Sequence, residues 1–371
     1  MKIAYILDTY PSLTETFIAR EIEALRRRGF EIEVFALHAG EGAHPIERVS
    51  HLKISHGLER LLTGRTPPTH FSNIGEALWR EGSAGGHFEG VGHIHAGFAS
   101  YPAFIAWGAA SASGLPWSFS GHARDLFVDG AGLADKLHAA GFATVCTRAG
   151  QRLLQEQAPA MSHKVLYAPH GIEVERYSWR EWKPGSPRLL SVGRLVEKKG
   201  FDDLLKVVSL LLAEGHEVRA TVIGEGPLHH KLDQQARSLG VDGAVQFVGA
   251  QSHDAVRDAM AAANCFVLPC KIARDGDRDG LPNVLLEAAA CGLPIVSTPV
   301  GGITDFLDET TGRLCPPADA AALAAAMARA FSEVDNTRSR CLAARRRIEQ
   351  EYDIERNIDR MAAAFRSESI L

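Results

Sequence analysis

Short apolar runs of strand length alternate with stretches of helical periodicity from one end of the chain to the other, and this alternation most narrows the fold. Strands separated by helices pair in parallel through crossover connections, so the pattern predicts an α/β protein. In the first half the strand-like runs are Lys2–Leu7, Glu31–Leu37, His93–Ala96, Trp117–Ser120, Ala143–Cys146 and Val165–Ala168. Glu15–Arg28 reads as an amphipathic helix ended by Gly29. A second series comprises Arg188–Val192, Val218–Ile223, Val245–Val248, Cys265–Leu268 and Ile295–Ser297. The rhythm breaks from Tyr177 to Pro187, a segment without apolar periodicity that ends in Pro, Gly and Ser, as a domain boundary does. A length of 371 residues also suits two domains. The expected division is 1–176, 177–351 and a terminal helix over 352–371, whose Ile354, Ile358, Met361 and Phe365 fall at helical spacing and return it to the first domain.

Composition closes off other classes. Forty Lys and Arg stand against 45 Asp and Glu, a net charge of −5, so the overall field does not call for nucleic acid and any anion site must be local. The six cysteines form no CxxC pair and lie mostly in apolar runs, which points to buried thiols in a reducing compartment rather than a disulfide framework or zinc ribbon. The N-terminal run meets Asp8 early and lacks a small-residue cleavage site, so a strand is expected there instead of a signal peptide. Ala96–Gly121 is uncharged, but Ser100-Tyr101-Pro102, Gly114 and Pro116 cut it into a buried helix over about Pro102–Ser113 and a short strand. Twelve of the 16 histidines fall in residues 1–170, which predicts different work for the two halves.

Two motifs of the second half carry chemistry. From Asp279 to Pro294 the chain reads DGLPNVLLEAAACGLP, one short helix from about Pro282 to Cys291 with a Gly-Leu turn before it. Pro282 has no N–H, but the amides of Leu281, Asn283 and Val284 are expected to face an anion at the positive end of the helix dipole. Glu287, on an otherwise apolar helix, needs a partner; a ligand hydroxyl or a structural cation would serve. The second motif, Gly193-Arg194-Leu195-Val196-Glu197-Lys198-Lys199-Gly200, follows a predicted strand and places two kinds of cation where ligands of open α/β sheets bind. Arg194 and Lys199 together suit a diphosphate. A Walker loop is absent, and Gly224-Glu225-Gly226 lacks the third glycine of a dinucleotide fingerprint.

These residues resemble the retaining nucleotide-sugar glycosyltransferases of the two-Rossmann GT-B fold, family 4, and most closely the bacterial exopolysaccharide or colanic-acid type. That family's signature is an acidic residue, seven intervening residues and a Glu, with Gly-Leu-Pro inside; Asp279 and Glu287 occupy those places, with Asp279 standing where Glu is usual. The resemblance implies two domains facing across a cleft. It also implies that Glu287 binds the nucleotide ribose, Asp279 the transferred sugar, and Arg194 with Lys199 the diphosphate. Gly193, Val248 at the base, and Gly280, Leu281, Pro282, Asn283 and Val284 complete the donor site. His122, in Ser120-Gly121-His122-Ala123-Arg124-Asp125, resembles the family histidine beside the reaction centre. Pro11-Ser12-Leu13-Thr14-Glu15-Thr16-Phe17 resembles the loop of exopolysaccharide-type members, so Ser12, Thr14, Glu15 and Arg124 are expected on the acceptor side.

Other clusters read more plainly. Asp275-Gly276-Asp277-Arg278-Asp279-Gly280 mimics the opening of a calcium loop, but the twelfth position is Leu286 and not Glu, so no metal is expected. His93 and His95 share one face of a strand, as core or cleft lining. Arg26-Arg27-Arg28 ends the first helix as a solvated face, with anionic lipid as the alternative. The expectation is a metal-independent enzyme with no cofactor that moves a sugar from a UDP- or GDP-sugar to a hydroxyl acceptor, lipid-linked or oligosaccharide. It would act in the cytoplasm, with peripheral contact at the inner membrane. A sugar-nucleotide epimerase and a non-catalytic sugar-nucleotide or glycan binding protein are the rival readings.

Overall fold

Every strand pairing among the described residues is parallel, as helices between successive strands require. The computed structural model describes residues 1–12, 16–40, 49–51, 76 and 88–368. Its strands form a seven-stranded sheet in the order β3-β2-β1-β4-β5-β6-β7 and a six-stranded sheet in the order β10-β9-β8-β11-β12-β13. The first contains β1 (Lys2–Tyr10), β2 (Glu31–Ala39), β3 (Val49–His51), β4 (Val91–Ala96), β5 (Trp117–Gly121), β6 (Phe142–Val145) and β7 (Val165–Tyr167). The second contains β8 (Arg188–Val192), β9 (Arg219–Ile223), β10 (Val245–Phe247), β11 (Cys265–Leu268), β12 (Ile295–Ser297) and β13 (Arg313–Leu314). Strand order reverses between β1 and β4 in one sheet and between β8 and β11 in the other. Crevices open at the carboxyl ends of strands at such reversals.

The chain divides into a first unit of Met1–His170 with Ile354–Leu371 and a second of Gly171–Asp353. The expected breaks at 176/177 and 351/352 are therefore corrected to 170/171 and 353/354. The cause is packing: Ile172, Val174 and Tyr177 are buried in the core of the second unit, and Ile172 bridges Asp353. The Tyr177–Pro187 segment is likewise anchored, with Trp182 buried and its Nε1 donating to Asn264 O at 2.7 Å.

One core of the first unit lies under α1 (Thr16–Arg27) and the final helix, numbered α13 (Ile354–Glu368); Ile354, Ile358, Met361 and Phe365 are all buried there. The arginine run, read as a solvated face, is engaged by partners of its own unit. Arg26 donates to Ile32 O at 2.8 Å, Arg27 pairs with Glu355, and Arg28 pairs with Glu355 and Asp359. These pairs are largely exposed and set orientation more than stability. The opposite face of the sheet is covered by α2 (Tyr101–Ser113), which has Pro102 in its first turn and ends at Gly114 with φ 73°. No helix among the described residues is long and apolar enough to cross a membrane. All six cysteines are buried, and none of them is in a disulfide.

Candidate functional site

In the second unit the loops leaving β8, β9, β11 and β12 interlock. The Gly193–Gly200 loop is tied to the one after β9 by Gly193 N–H to Ile223 O at 2.9 Å and Leu195 N–H to Glu225 O at 2.8 Å. Gly200 has φ +69°, and a Cβ there would fall 1.8 Å from Pro269 O, so only glycine lets this loop lie against the chain leaving β11. A Cβ on Gly193 would stand 3.2 Å from the Lys199 side chain, which crosses it to bring Nζ 2.8 Å from Asp279 Oδ2.

The expected assignment of Lys199 to one part of a ligand and Asp279 to another thus meets a direct ion pair. Lys198 lies 3.1 Å from Asp277 Oδ2 and 3.6 Å from Asp279 Oδ1, and the Cys270 thiol donates to Asp279 Oδ2 at 3.3 Å. Burial opposes charge on both Lys199 and Asp279. Their mutual attraction, reinforced at Asp279 by Lys198, outweighs it and holds the ammonium above and the carboxyl below its ordinary range. Burial, then the Asp279 charge, pushes the Cys270 thiol well up, so it remains a donor. Arg194 is exposed on the same loop.

The helix of the long motif is α9 (Asn283–Ala290), one residue shorter at each end than expected. Pro282, with φ −63° and ψ 120°, caps the helix and is not its first residue. Its carbonyl accepts the Leu285 N–H at 3.0 Å. As first-turn residues Asn283 and Val284 have no intrahelical acceptor for their N–H groups. Asn283 Oδ1 is buried without a hydrogen-bond partner among the described residues. Glu287 is 5% exposed one turn further on. Val248 follows β10, partly buried, its N–H bonded to Val222 O at 3.0 Å.

The loop after β12 was not foreseen as part of this site. Gly301 has φ +60°, and a Cβ there would stand 1.8 Å from Asp279 O; Gly302 N–H donates to Gly280 O at 2.8 Å. Gly301 and Gly302 therefore seat the Asp279–Gly280 backbone. The Gly-Gly pair between a strand and a helical turn was the available signal.

In the first unit His122 precedes α3 (Ala123–Phe127), and its N–H donates to Asp125 Oδ1 at 2.8 Å. Asp125 Oδ2 accepts the Ala99 N–H at 2.7 Å. The His122 ring packs against Phe17, Phe98 and His170, with centroids 5.0, 4.8 and 5.1 Å away, and lies within 9° of parallel to His170. Burial, then His122 and Arg20, holds the His170 imidazolium well below its ordinary range. Asp125 and His170 were missed; the three-residue spacing of His122 and Asp125, that of a capping box, was a readable sign. Of the acceptor-side residues, Arg124 is exposed and pairs with Asp129 at 3.1 Å, Ser12 is partly buried beyond β1, and Thr14 and Glu15 lie outside the described residues.

His93 and His95 are fully buried core residues. His93 Nε2 and His95 Nδ1 meet Ser118 Oγ at 2.7 and 2.8 Å, and His95 Nε2 meets Ser120 Oγ at 3.1 Å. Burial pushes His93 down to about 3. No group of three or more His, Cys, Asp or Glu is placed to hold a metal among the described residues.

Residues 186–333 match the family described as glycosyl transferases group 1. An amylovoran biosynthesis glycosyltransferase of Erwinia amylovora is 33% identical over 208 residues, 54% of this chain and 51% of that protein, so the chain spans about half of that relative's length. A putative colanic acid biosynthesis glycosyltransferase of Escherichia coli K12 is 25% identical over 96% of this chain and 97% of its own. Among solved structures, the Anabaena protein HepE in complex with UDP-glucose superposes with a TM-score of 0.76 at 16% identity, covering 99% of this chain and 100% of that one. The likeness establishes the α/β GT-B fold.

Proposed function

We propose, from the match of residues 186–333 to the family of group 1 glycosyl transferases, that the protein transfers a sugar from a nucleoside-diphosphate donor to a hydroxyl acceptor, with retention at the anomeric carbon and without a metal. The observation that carries this reading is the convergence of Arg194, Lys199, the α9 N-terminus and buried Glu287 on the loops at the β8/β11 reversal. Such a place gathers positive potential on a phosphate group.

As the bond from the anomeric carbon to the phosphate oxygen breaks, its electron pair leaves with the diphosphate. Arg194, Lys199 and the amides of Asn283 and Val284 stabilise that charge, the work a metal does elsewhere. The acceptor oxygen bonds to the anomeric carbon, and its proton passes to the departing phosphate oxygen. Asp279, already engaged by Lys199 and the Cys270 thiol, is then a holder of the cation more than a nucleophile. Glu287 binds ribose hydroxyls, Val248 the base, and Gly193 with the Gly280–Pro282 turn lines the donor. His122 acts at the reaction centre. Ser12, Thr14, Glu15 and Arg124 belong to acceptor binding.

Relatives named for amylovoran and colanic acid biosynthesis support a growing polysaccharide or its lipid-linked precursor as acceptor. HepE, solved with UDP-glucose, supports a UDP- or GDP-sugar as donor. Six buried cysteines outside any disulfide support action in the cytoplasm. The engagement of Arg27 and Arg28 by Glu355 and Asp359 takes away the support for membrane contact through that run.

Thermal shifts with UDP, GDP and ADP, on the wild type and Glu287→Ala, test the donor site. At about 100 times its dissociation constant a ligand adds about 2.7 kcal/mol. One nucleotide is expected to stabilise the wild type and not the variant; equal response of both proteins would overturn the Glu287 role, and no response to any nucleotide would overturn the donor site.

A further inference from the structure

Lys136 lies in α4 (Leu133–Ala139) with 0% of its surface exposed, and an ammonium is almost never buried to that degree without a charged partner in contact. Its Nζ donates to Ala99 O at 2.5 Å and to Ala131 O at 2.8 Å, and stands 3.6 Å from the centroid of the Phe104 ring. Among the described residues it has no ion pair; the carboxylate that acts on it is Asp125.

The Ala99 backbone is held from both sides. Lys136 donates to its C=O, and Asp125 Oδ2 accepts its N–H at 2.7 Å. The two groups belong to the successive peptide units on either side of the Ala99 Cα, so the ammonium fixes one unit and the carboxylate the other. The second oxygen of Asp125 accepts the His122 N–H at 2.8 Å. The residue before Ala99 is Phe98, whose ring packs on His122. Lys136, Ala99, Asp125 and His122 thus form one contiguous path that joins the loops leaving β4 and β5.

We propose that Lys136 is a positioning residue for His122, fixing the Ala99 backbone and, through it, Asp125, so that the imidazole is held in one orientation. The inference rests on the reading that His122 acts in glycosyl transfer. A methionine at position 136 would fill the same space, but it would leave the buried Ala99 carbonyl without its donor and Asp125 without its balancing charge.

The test uses the full chain labelled with ¹⁵N-histidine, with Lys136→Met and Lys136→Gln beside His122→Ala, which assigns the His122 ring signals. In the wild type the His122 ring should show one tautomer. Lys136→Met should mix the tautomers, and Lys136→Gln, which keeps a donor, should restore part of the wild-type signature. With UDP-glucose as the probe donor, Lys136→Met should lower kcat by about tenfold or more while leaving the donor KM within about twofold, as a misplaced reacting group does.

Should Lys136→Met fail to fold, Lys136→Gln and the wild type still decide. Lys136→Gln keeps a hydrogen-bond donor but removes the positive charge, so its His122 ring shifts at one fixed pH should differ from those of the wild type. Glu21 from α1, His95 from β4, Asp125 from α3 and His170 beyond β7 also bear on His122, and the variant separates their contributions from that of Lys136. His122 signals alike in wild type and both variants overturn the inference alone. Unchanged transfer in His122→Ala overturns the reading on which it rests.

Discussion

Asp279→Asn is the sharpest test of the paired charges in the second unit. The substitution keeps size and shape but leaves the Lys199 ammonium, 13% exposed, without the carboxylate 2.8 Å away. Removing one partner of a buried pair costs about 3–5 kcal/mol; the small residual exposure and the remaining Lys198–Asp277 pair place the expected loss near the lower end, about 3 kcal/mol at pH 7. The loss must depend on pH in a defined sense. In the wild type the Asp279 carboxyl sits below its ordinary 3.8, so its contribution is complete above that value and fades as pH falls through the lowered one. Lys199 sits above its ordinary 10.5, so its contribution is complete below that value and fades as pH rises through the raised one.

Between these limits the wild-type pair adds no slope. In the variant, burial remains while the main raising influence on Lys199 is gone, so its folded-state affinity for the proton drops below that of the unfolded chain. Stability of the variant then rises with pH in the alkaline range as Lys199 sheds its proton, and the deficit shrinks between pH 7 and pH 10. Urea midpoints followed by the fluorescence of buried Trp182 read this directly. UDP should stabilise the variant more than the wild type, because its diphosphate replaces the lost anion. A deficit under about 1 kcal/mol at pH 7, or one that stays constant to pH 10, would refute the reasoning.

Two further outcomes follow from the same structure. Gly301→Ala puts a Cβ at φ +60° against Asp279 O, so the Asp279–Gly280 backbone must shift; we expect about 1–3 kcal/mol of lost stability and loss of the nucleotide-induced thermal shift, and an intact shift would show that the Gly301 loop does not seat the site. The first unit should be the acid-labile one: His93, lowered by burial from 6.5 to about 3, stays neutral when folded and takes up a proton when unfolded. Stability therefore falls by about 1.4 kcal/mol per pH unit between those values from this residue alone, with His95 acting in the same direction; urea titrations at pH 7.5 and 5 should show a smaller drop in His93→Gln, and an equal drop would exclude the imidazole as its source.

The strands were legible because parallel, doubly covered strands are continuous apolar runs that need no knowledge of their neighbours. Arg188–Val192, Cys265–Leu268 and Ile295–Ser297 were bounded correctly to the residue. The two-residue β13 carries too few residues to form a pattern and was invisible. Domain limits failed for a different reason: Pro, Gly and Ser near 184–187 mark a surface crossing, but Ile172, Val174 and Tyr177 had already entered the second core, which only packing reveals.

The same division runs through the candidate site. Residue types and the place of each motif after a strand were readable, because ligand loops follow strand ends and helix N-termini attract anions. What could not be read was which loops meet. Lys199 and Asp279 were assigned to two parts of one ligand, and the structure pairs them with each other; the contact is possible only because Gly200, next to Lys199, and Gly301, beyond the second motif, have no side chain to keep the loops apart. Arg28 shows the converse. Its charge was plain in the sequence, yet its meaning depended on Glu355 and Asp359, which arrive on a helix from the far end of the chain. A charged residue in this fold is thus not interpretable from sequence when its partner is another charged residue brought in by tertiary contact, and a ligand partner at a strand end is the case left to test. For that reason the Asp279→Asn titration, which separates those two cases at Lys199, bears on mechanism as well as on stability.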